Sequence, residues 1–321
     1  MRFVYVMDPL ENVNPQKDTT YAIMQGAVRH GHDVVYVPKD GISLHGGEVQ
    51  FDGQRVMPLK PRGPRLFEDL GVVSLSGNDV DAVFIRTDPP FDVTYLMHTW
   101  LLDHLPDDMM VINHPSGIRT VNEKIWCLQF KDVVPDSLVT GQIERLHDFL
   151  ARHERIIVKP TDGHGGKGVF LVRPGDTNAG VIFETLTHHG QRAVIAQTYV
   201  ADAEIGDKRI LLLDGQPLGA VLRIHAEDDH RNNFFAGGRA QETNITDRDR
   251  KIIAAITPKV RELGLHFVGI DVIGEFLIEV NVTSPTCLQE MNQLYDLKLE
   301  DRVINYVEQH VRRKRGLSSA M

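Results

Sequence analysis

The sequence predicts an α/β protein of two or three domains, and three stretches support this prediction. At the N-terminus a strand ending at Met7, a helical pattern from Asp18 to His30 and the strand DVVYV at Asp33 to Val37 alternate as in an open α/β sheet. Residues 154–200 predict a strand, a Gly-rich turn, a strand, a helix and a strand. From residue 201 onward the chain predicts two hairpins and several helices.

Two changes of pattern divide the chain. A polar, Pro-containing connection precedes a helix that we predict to begin near Asn122, with Lys124 in its first turn. A second boundary lies near Tyr199, after the last strand of the middle unit. We therefore predict an N-terminal open α/β domain at residues 1–122, a small central domain at 123–200 and a C-terminal α+β domain at 201–321.

Composition and charge argue against several classes of protein. The 321 residues are 42% hydrophobic and 25% charged, which is ordinary for a globular chain. The net charge of −9 disfavours general nucleic-acid binding, and we interpret the basic run Arg312 to Arg315 as a solvated helix end. The N-terminal apolar run is short for a signal peptide or a membrane helix, and Cys127 and Cys287 lie far apart without a CxxC partner. We expect a cytoplasmic protein with reduced thiols that binds no membrane.

The stretch DVIGEFLIEVN, from Asp271 to Asn281, predicts a hairpin that carries a magnesium site. A two-residue turn would point Asp271 away from Glu279, whereas a three-residue loop at residues 274–276 pairs these two residues and also pairs Val272 with Ile278. Asp271, Glu279 and Asn281 then share one face, and their oxygens are the hard ligands that Mg²⁺ prefers. The alternative is a solvated hairpin face.

Polar residues end several strands of the first domain. The strands at Asp81 to Arg86 and Met109 to Asn113 flank a helical segment at Asp92 to His104, and Gly-bearing turns are predicted at His45 to Gly47 and at Asp52-Gly53. Ligands of open α/β sheets bind beyond the carboxyl ends of strands. This rule makes candidates of Asp8, Arg86, Asp88 and Asn113, each of which could instead cap a turn.

The turn TDGHGGKG is a candidate phosphate loop. Glycines at positions 163, 165, 166 and 168 let the backbone approach a ligand closely, and Lys159 ends the preceding strand. The Lys-Ser/Thr ending of the Walker pattern is missing. A flexible hairpin tip is the alternative, and we interpret His164 as an exposed loop side chain.

Further candidates for nucleotide and oxyanion binding follow downstream. The segment IAQTYV, Ile195 to Val200, offers a purine backbone groups between apolar walls, and Asp207 is available to ribose hydroxyls. Arginines at positions 209, 223, 231 and 239 could bind phosphate or carboxylate, or could serve solubility alone. The polar, glycine-bearing loop HAEDDHRNNFFAGGRAQE has the composition of a mobile lid. In VTSPT, Thr283 or Ser284 is a candidate N-cap, with Pro285 at the first helical position.

Together these motifs resemble the ATP-grasp ligases, and specifically the bacterial glutathione synthetases. The motifs NEK, KPTDGHGG, AQTYV, GDKR, AGGR and DVIGEFLIEVNVTSPT occur in the family's order. VMDP, KDTTYA and RTDPPFD are similar to signatures of the glutathione synthetases themselves. The resemblance covers nearly the whole chain.

The resemblance implies an ATP-grasp fold in which the central domain is a lid. It implies ligation of γ-glutamylcysteine and glycine to glutathione through an acyl phosphate, with ATP as cosubstrate and ADP and phosphate as products. Two Mg²⁺ ions, for which Mn²⁺ can substitute, and a homotetramer or dimer are also implied.

Individual residues match the family's functional positions. Arg209 and Arg223 match arginines around the transferred phosphoryl group, and Asp271, Glu279 and Asn281 match the metal ligands. The matched ATP-binding residues are Lys124, Lys159, Gly163, His164, Gly165, Gly166, Gln197, Thr198, Tyr199, Val200 and Asp207. The predicted substrate contacts are Asp8, Arg86, Asp88, Arg231, Asn233, Gly238, Arg239 and Ser284.

Two departures from the family pattern concern the substrate. Thr87 stands where a lysine is expected, and His225, Glu227, Asp228 and Asp229 replace a stretch that tends to hold proline and glycine. These changes leave open another ATP-grasp ligase with a different amine, and a non-catalytic ATP-binding regulatory protein is a third hypothesis.

Trimming the loop from Arg231 to Arg239 is expected to raise ATP hydrolysis relative to peptide formation, because an acyl phosphate must be shielded from water. The ratio of ADP to peptide product measures this coupling. Unchanged coupling in the trimmed protein would refute the lid hypothesis.

Overall fold

A computed structural model describes residues 1–61, 63, 65–163, 165–224 and 239–316. Within these residues the strands form three sheets, of seven, four and five strands, with helices packed against them. The predicted mixed α/β class is confirmed. Among the described helices, none combines the length and the apolar character needed to cross a membrane.

The first sheet comes from the N-terminal third of the chain. Its elements are β1 (Arg2–Val6), α1 (Thr19–Arg29), β2 (Asp33–Val37), β3 (Ile42–His45), β4 (Glu48–Pro58), β5 (Phe67–Ser76), β6 (Ala82–Ile85), α2 (Val93–Leu102), β7 (Met110–Ile112) and α3 (Pro115–Thr120). The strand order is β3-β4-β2-β1-β6-β7, with β5 paired to β4. Strands β2, β1, β6 and β7 run parallel, so their carboxyl ends meet at one edge.

The predicted turn at Asp52-Gly53 is wrong, because both residues lie inside β4. Glycine is needed there for close packing: a Cβ on Gly53 would lie 2.2 Å from the carbonyl oxygen of Tyr36 on β2. A glycine in a strand often marks such an approach of a neighbouring backbone. The other predicted turn, at His45 to Gly47, joins β3 to β4.

The second sheet is antiparallel and has its own core. Its elements are β8 (Ser137–Thr140), α4 (Ile143–Arg152), β9 (Ile156–Pro160), β10 (Phe170–Val172), α5 (Ala179–Leu186) and β11 (Val194–Thr198), with the strand order β10-β9-β11-β8. The core gathers Phe149, Val158, Phe183 and Ala196. Within the predicted central domain at residues 123–200, strands and a helix are predicted only from residue 154 onward, so β8 and α4 are missed, although the buried spacing of Leu146, Phe149 and Leu150 is helical.

The third sheet is also antiparallel. Its elements are β12 (Asp207–Leu213), β13 (Gln216–Ile224), β14 (Arg239–Gln241), α6 (Asp247–Glu262), β15 (Phe267–Ile273), β16 (Phe276–Asn281), α7 (Leu288–Tyr295) and α8 (Leu299–Lys314). The strand order is β14-β13-β12-β15-β16. The basic run at the end of α8 forms the predicted helix end, and Arg315 pairs with Asp81.

The hairpin β15–β16 has the predicted pairing of Asp271 with Glu279, but its turn differs from the predicted one. Ile273 pairs with Phe276 and Val272 with Leu277, so the turn has two residues and the predicted three-residue loop is wrong. A β-bulge between Asp271 and Val272 then shifts the register, and Asp271 pairs with Glu279 after all. With a two-residue turn alone, Asp271 and Glu279 would point to opposite faces of the hairpin. The extra residue of the bulge returns both side chains to the same face.

The first and third sheets are packed together through shared side chains. Asn113, at the end of β7, donates to the carbonyls of Phe267 and Val282 and accepts from the Phe267 amide. This strand-end residue, a candidate ligand contact in the sequence, therefore joins the first and third sheets. Helix α8 packs on α1 in the same core.

Gly53→Ala is expected to destabilise the protein by about 1–3 kcal/mol, because the added methyl group overlaps the Tyr36 carbonyl. Gly180 in α5 has nothing within 4 Å of an added Cβ, so Gly180→Ala is the control and should be neutral or stabilising. Thermal unfolding of both variants tests this. Equal unfolding temperatures would contradict close packing at Gly53.

Candidate active site

One cleft, with a volume of about 440 Å³, collects most of the predicted site residues. It lies between the second and third sheets, and Asp88 and Pro89 of the first domain border it. Its volume is in the range of small-molecule sites. The predicted residues on its lining are Asp88, Lys124, Lys159, Gly163, Gly165, Gly166, Gln197, Thr198, Tyr199, Val200, Asp207, Arg209, Arg223, Asp271, Glu279, Asn281 and Ser284.

A chain of buried charges crosses the third sheet at the floor of this cleft. Strand pairing sets Arg209 opposite Asp271 and Arg223 opposite Asp207. Arg209 holds both carboxylate oxygens of Asp271, with Nε–Oδ1 at 2.5 Å and Nη2–Oδ2 at 2.9 Å. Arg223 lies 3.1 Å from Asp271 Oδ2 and also forms a two-point contact with Asp207. Each of the two arginines thus forms a bidentate pair, the strongest kind of ionic hydrogen bond.

The protonation states of Asp271 and its two arginine partners follow from their contacts. Burial alone would raise the pKa of Asp271, but the guanidinium groups of Arg209 and Arg223 hold it well below its usual range. Although burial opposes it, the neighbouring carboxylates raise the pKa of both arginines. Asp271 is therefore anionic and both arginines are cationic at any physiological pH.

A second carboxylate faces the cleft beside two lysines. Glu279 Oε1 lies 3.7 Å from Lys124 Nζ and 3.9 Å from Lys159 Nζ. Burial lowers the pKa of Lys159, and Glu279 opposes that shift. Lys124 also donates to the carbonyl of Gly163 in the glycine turn. The turn, both lysines and Glu279 thus form one connected wall of the cleft.

The oxygens of Asp271, Glu279 and Asn281 fit a divalent cation such as Mg²⁺. All three side chains lie on the cleft face of the hairpin, and Asn281 Nδ2 is 3.3 Å from Asp271 Oδ2. The donor set consists of two carboxylates and an amide, without sulfur or imidazole, which suits a hard cation. Lysines and arginines lie next to the same carboxylates.

The predicted adenine segment also lines the cleft, through Gln197 to Val200. The amides of Thr198 and Tyr199 donate to the backbone carbonyls of Asp136 and Arg155, at 2.9 and 3.0 Å. These two amides therefore cannot also donate hydrogen bonds to a bound purine. The Gln197 side chain donates to Ser137 at 2.9 Å.

Two predicted substrate residues of the first domain connect to the third. Ser284 Oγ donates to Asp88 Oδ1 at 2.5 Å, and the Asp88 amide donates to Asp8 Oδ2 at 2.8 Å. Asp8 also pairs with Lys39. Arg86 is buried behind the cleft wall, where it donates to Thr20 and to the Pro285 carbonyl. Asp8 and Arg86 thus contact lining residues: Asp8 accepts from Asp88, and Arg86 donates to Pro285.

The predicted capping at residues 283–285 is wrong. Helix α7 begins at Leu288, with Cys287 in the left-handed region at its N-cap. The Thr283 hydroxyl donates to Glu123 and the Ser284 hydroxyl to Asp88, so neither caps the helix. The predicted helix near Asn122 is also different: turns cover Glu123 to Ile125, and a short 3₁₀ helix follows at Trp126–Gln129.

Sequence reasoning missed Glu123, which lines the cleft next to Lys124. It accepts from the Val282 amide at 3.2 Å and from Thr283 Oγ1 at 3.0 Å. Burial raises its pKa, with Lys124 opposing. Glu123 thus joins the turn before the 3₁₀ helix to the chain after β16. Its place in the motif NEK was the available signal.

The remaining predictions lie away from the described lining or outside the described residues. Arg239 is exposed at the start of β14. The predictions for His164, Arg231, Asn233 and Gly238, and the altered stretch at 225–229, fall outside the described residues. Thr87 is buried beside Arg86.

Comparison with known proteins identifies the family. Residues 1–119 match the family model of the prokaryotic glutathione synthetase N-terminal domain, and residues 123–296 match that of the prokaryotic glutathione synthetase ATP-grasp domain. The chain belongs to the prokaryotic glutathione synthetase family. The resemblance that the motifs indicated is confirmed. The protein is therefore an ATP-dependent ligase that uses a divalent metal ion, and the non-catalytic hypothesis is not supported.

Curated relatives match over nearly their whole length. A glutathione synthetase of Vibrio cholerae is 40% identical over 311 residues, which cover 96% of this chain and 97% of the relative. One of Gloeobacter violaceus is 38% identical over 320 residues, covering 97% and 98%. One of Escherichia coli O6:H1 is 38% identical over 305 residues, covering 94% and 96%.

Solved structures share the ATP-grasp fold at much lower identity. The crystal structure of D-cycloserine synthetase DcsG has a TM-score of 0.65 and 16% identity, covering 97% of this chain and 100% of that one. The macrocyclase MdnC, bound with precursor peptide MdnA from Microcystis aeruginosa MRC, has a TM-score of 0.65 and 14% identity, covering 96% and 100%. At these identities the similarity concerns the fold alone.

Asp271→Asn is expected to raise the Mg²⁺ concentration needed for half-maximal activity by about tenfold or more, because one anionic ligand is lost. The matched control is Asp249, whose carboxylate is also buried but does not line the cleft. Its Oδ2 lies 2.6 Å from Lys208 Nζ. Asp249→Asn should lower stability and leave the Mg²⁺ requirement unchanged. If the two variants have the same Mg²⁺ dependence, Asp271 is not a metal ligand.

Proposed function

We propose that the protein joins γ-glutamylcysteine and glycine to form glutathione, with conversion of ATP to ADP and phosphate. One observation carries the proposal: the anionic hairpin face of Asp271 and Glu279 meets Lys124, Lys159 and the glycine turn in a single cleft. A cleft that combines fixed cations with carboxylate ligands suits a nucleoside triphosphate and its metal. The full-length match to glutathione synthetases supports the choice of substrates.

The nucleotide is proposed to lie along the cleft from Val200 to the glycine turn. Val200 would meet the purine edge, since the amides of Thr198 and Tyr199 are already bonded. Lys124 and Lys159 would contact phosphates, with the turn around Gly165 beside them. Asp207 is proposed as the ribose contact.

We propose that two Mg²⁺ ions are held by Asp271, Glu279 and Asn281. Mn²⁺ would be able to substitute for Mg²⁺. Bound metal would neutralise charge on the phosphates. Binding would compete with Arg209 and Arg223 for the oxygens of Asp271. We infer that these arginines turn toward the substrate when ATP is bound.

The chemistry proceeds in two displacements. The cysteinyl carboxylate oxygen of γ-glutamylcysteine attacks the γ-phosphorus, ADP leaves, and an acyl phosphate results. The amine of glycine then attacks the acyl carbon, loses a proton and expels phosphate. Arg209 and Arg223 are proposed to stabilise the oxyanion of the tetrahedral intermediate, a contribution of about 3 kcal/mol for a well-placed donor.

The peptide substrate is proposed to contact Asp88 and Ser284 on the first-domain side of the cleft, with Asp8 and Arg86 supporting that wall. Arg231, Asn233, Gly238 and Arg239 are proposed to close over it. We also propose three domains at residues 1–122, 123–200 and 201–321, a cytoplasmic location, and a homotetramer or dimer.

The test is ADP release with Mg²⁺-ATP, γ-glutamylcysteine and glycine, leaving out each in turn and replacing glycine with other amines. Release that requires all components, and is fastest with glycine, is expected. A preference for another amine would move the assignment to a sister ligase. Absence of ADP release under every mixture would overturn the proposed reaction.

A further inference from the structure

A separate group of metal-ligating side chains lies at the opposite edge of the first sheet from the cleft. His30 and His32 occupy the turn between α1 and β2, and Glu308 lies on α8. One ligand atom from each of the three lies within 4.8 Å of the others. Because β2 begins directly after His32 and runs parallel to β6, the group lies at the amino edge of the sheet. Asp88 and the cleft follow the carboxyl edge.

The two imidazoles point at one carboxylate oxygen. His30 Nδ1 lies 3.0 Å and His32 Nε2 2.8 Å from Glu308 Oε1. Their side chains are mostly buried, with 22%, 7% and 14% exposed for His30, His32 and Glu308. The ring of Phe3 packs against His32 at 4.5 Å between centroids, which fixes the direction of that imidazole. The three ligand atoms are thus held in place by packing.

Neighbouring side chains and the amino group of Met1 contact His30, His32 and Glu308 and orient them. The second nitrogen of His30, Nε2, lies 3.6 Å from Asp301 Oδ1, so a carboxylate stands behind this imidazole. Glu308 Oε2 lies 3.4 Å from Arg312, which leaves Oε1 to the histidines. His32 Nδ1 faces the amino group of Met1 at 3.4 Å. A carboxylate behind a ligating histidine is the usual support of a metal site, because it orients the ring.

We propose that His30, His32 and Glu308 bind a divalent transition-metal ion such as Zn²⁺, at a site distinct from the ATP cleft. Two imidazoles and one carboxylate suit Zn²⁺ or Co²⁺, whereas Mg²⁺ prefers oxygen ligands alone. The ion would replace the hydrogen bonds that now join the histidines to Glu308. It would link the α1–β2 turn of the first domain to the C-terminal helix of the third.

The experiment uses full-length protein without a polyhistidine tag, stripped with chelator and kept in millimolar Mg²⁺ without ATP. Co²⁺ is the probe, because its visible absorption reports nitrogen ligation at low coordination number, and Zn²⁺ content is then measured by elemental analysis. We expect about one Zn²⁺ ion to be retained per chain. We also expect Zn²⁺ to raise the unfolding temperature, because an ion that binds only the folded state stabilises that state.

Two variants and one control variant make the assignment specific. His32→Gln and Glu308→Gln should each weaken Co²⁺ binding by about tenfold or more and abolish the Zn²⁺-dependent rise in unfolding temperature. His104→Gln, at an exposed histidine outside the group, should bind as the wild type does. Circular dichroism checks that both variants fold, and His30→Gln replaces either one that does not.

Wild-type affinity in the two variants would overturn the proposal. So would loss of Co²⁺ binding in Asp271→Asn with no loss in His32→Gln, because the ion would then belong to the ATP cleft. The assay contains no ATP or peptide substrate, so its result is independent of the proposed ligase reaction.

Discussion

The alternating row of buried charges formed by Asp207, Arg223, Asp271 and Arg209 constrains the rest of the site. Two carboxylates and two guanidinium groups lie almost without solvent, so each charge depends on its neighbours for compensation. Removing one partner of such a buried pair typically costs about 3–5 kcal/mol. A cation that bound Asp271, as proposed, would therefore exchange contacts with Arg209 and Arg223.

The register of the third sheet makes that row possible. Cross-strand pairing sets each arginine opposite an acid, and a single β-bulge after Asp271 keeps Glu279 on the same face despite a two-residue turn. Without the bulge, Ile278 would stand opposite Asp271. The bulge also leaves Ile278 on the cleft lining, next to Glu279. One inserted residue thus sets both the charged and the apolar part of the wall.

The N-terminal part of the chain contributes to the cleft through its contacts with the third sheet and the segment after it. Asn113 joins the two sheets, Arg86 reaches the Pro285 carbonyl, and Ser284 reaches Asp88. These bonds fix the segment after β16, which carries Thr283 and Ser284 along the cleft. The same ATP-grasp fold supports D-cycloserine synthetase and a macrocyclase at 14–16% identity. The fold therefore does not decide the substrate, which depends on particular side chains.

Sequence alone determined the fold class, many of the strands and helices and most of the cleft lining, because hydrophobic periodicity, glycine turns and short motifs are local signals. It also paired Asp271 with Glu279, but through the wrong loop. Tertiary structure alone decided the bulge, the strand position of Gly53, the donors that hold Glu123 and the meeting of His30 and His32 with Glu308. Each of these depends on contacts between residues distant in the chain, such as Gly53 against Tyr36 or Glu123 against Thr283. No local pattern encodes such contacts, because packing sets them only when separate elements come together.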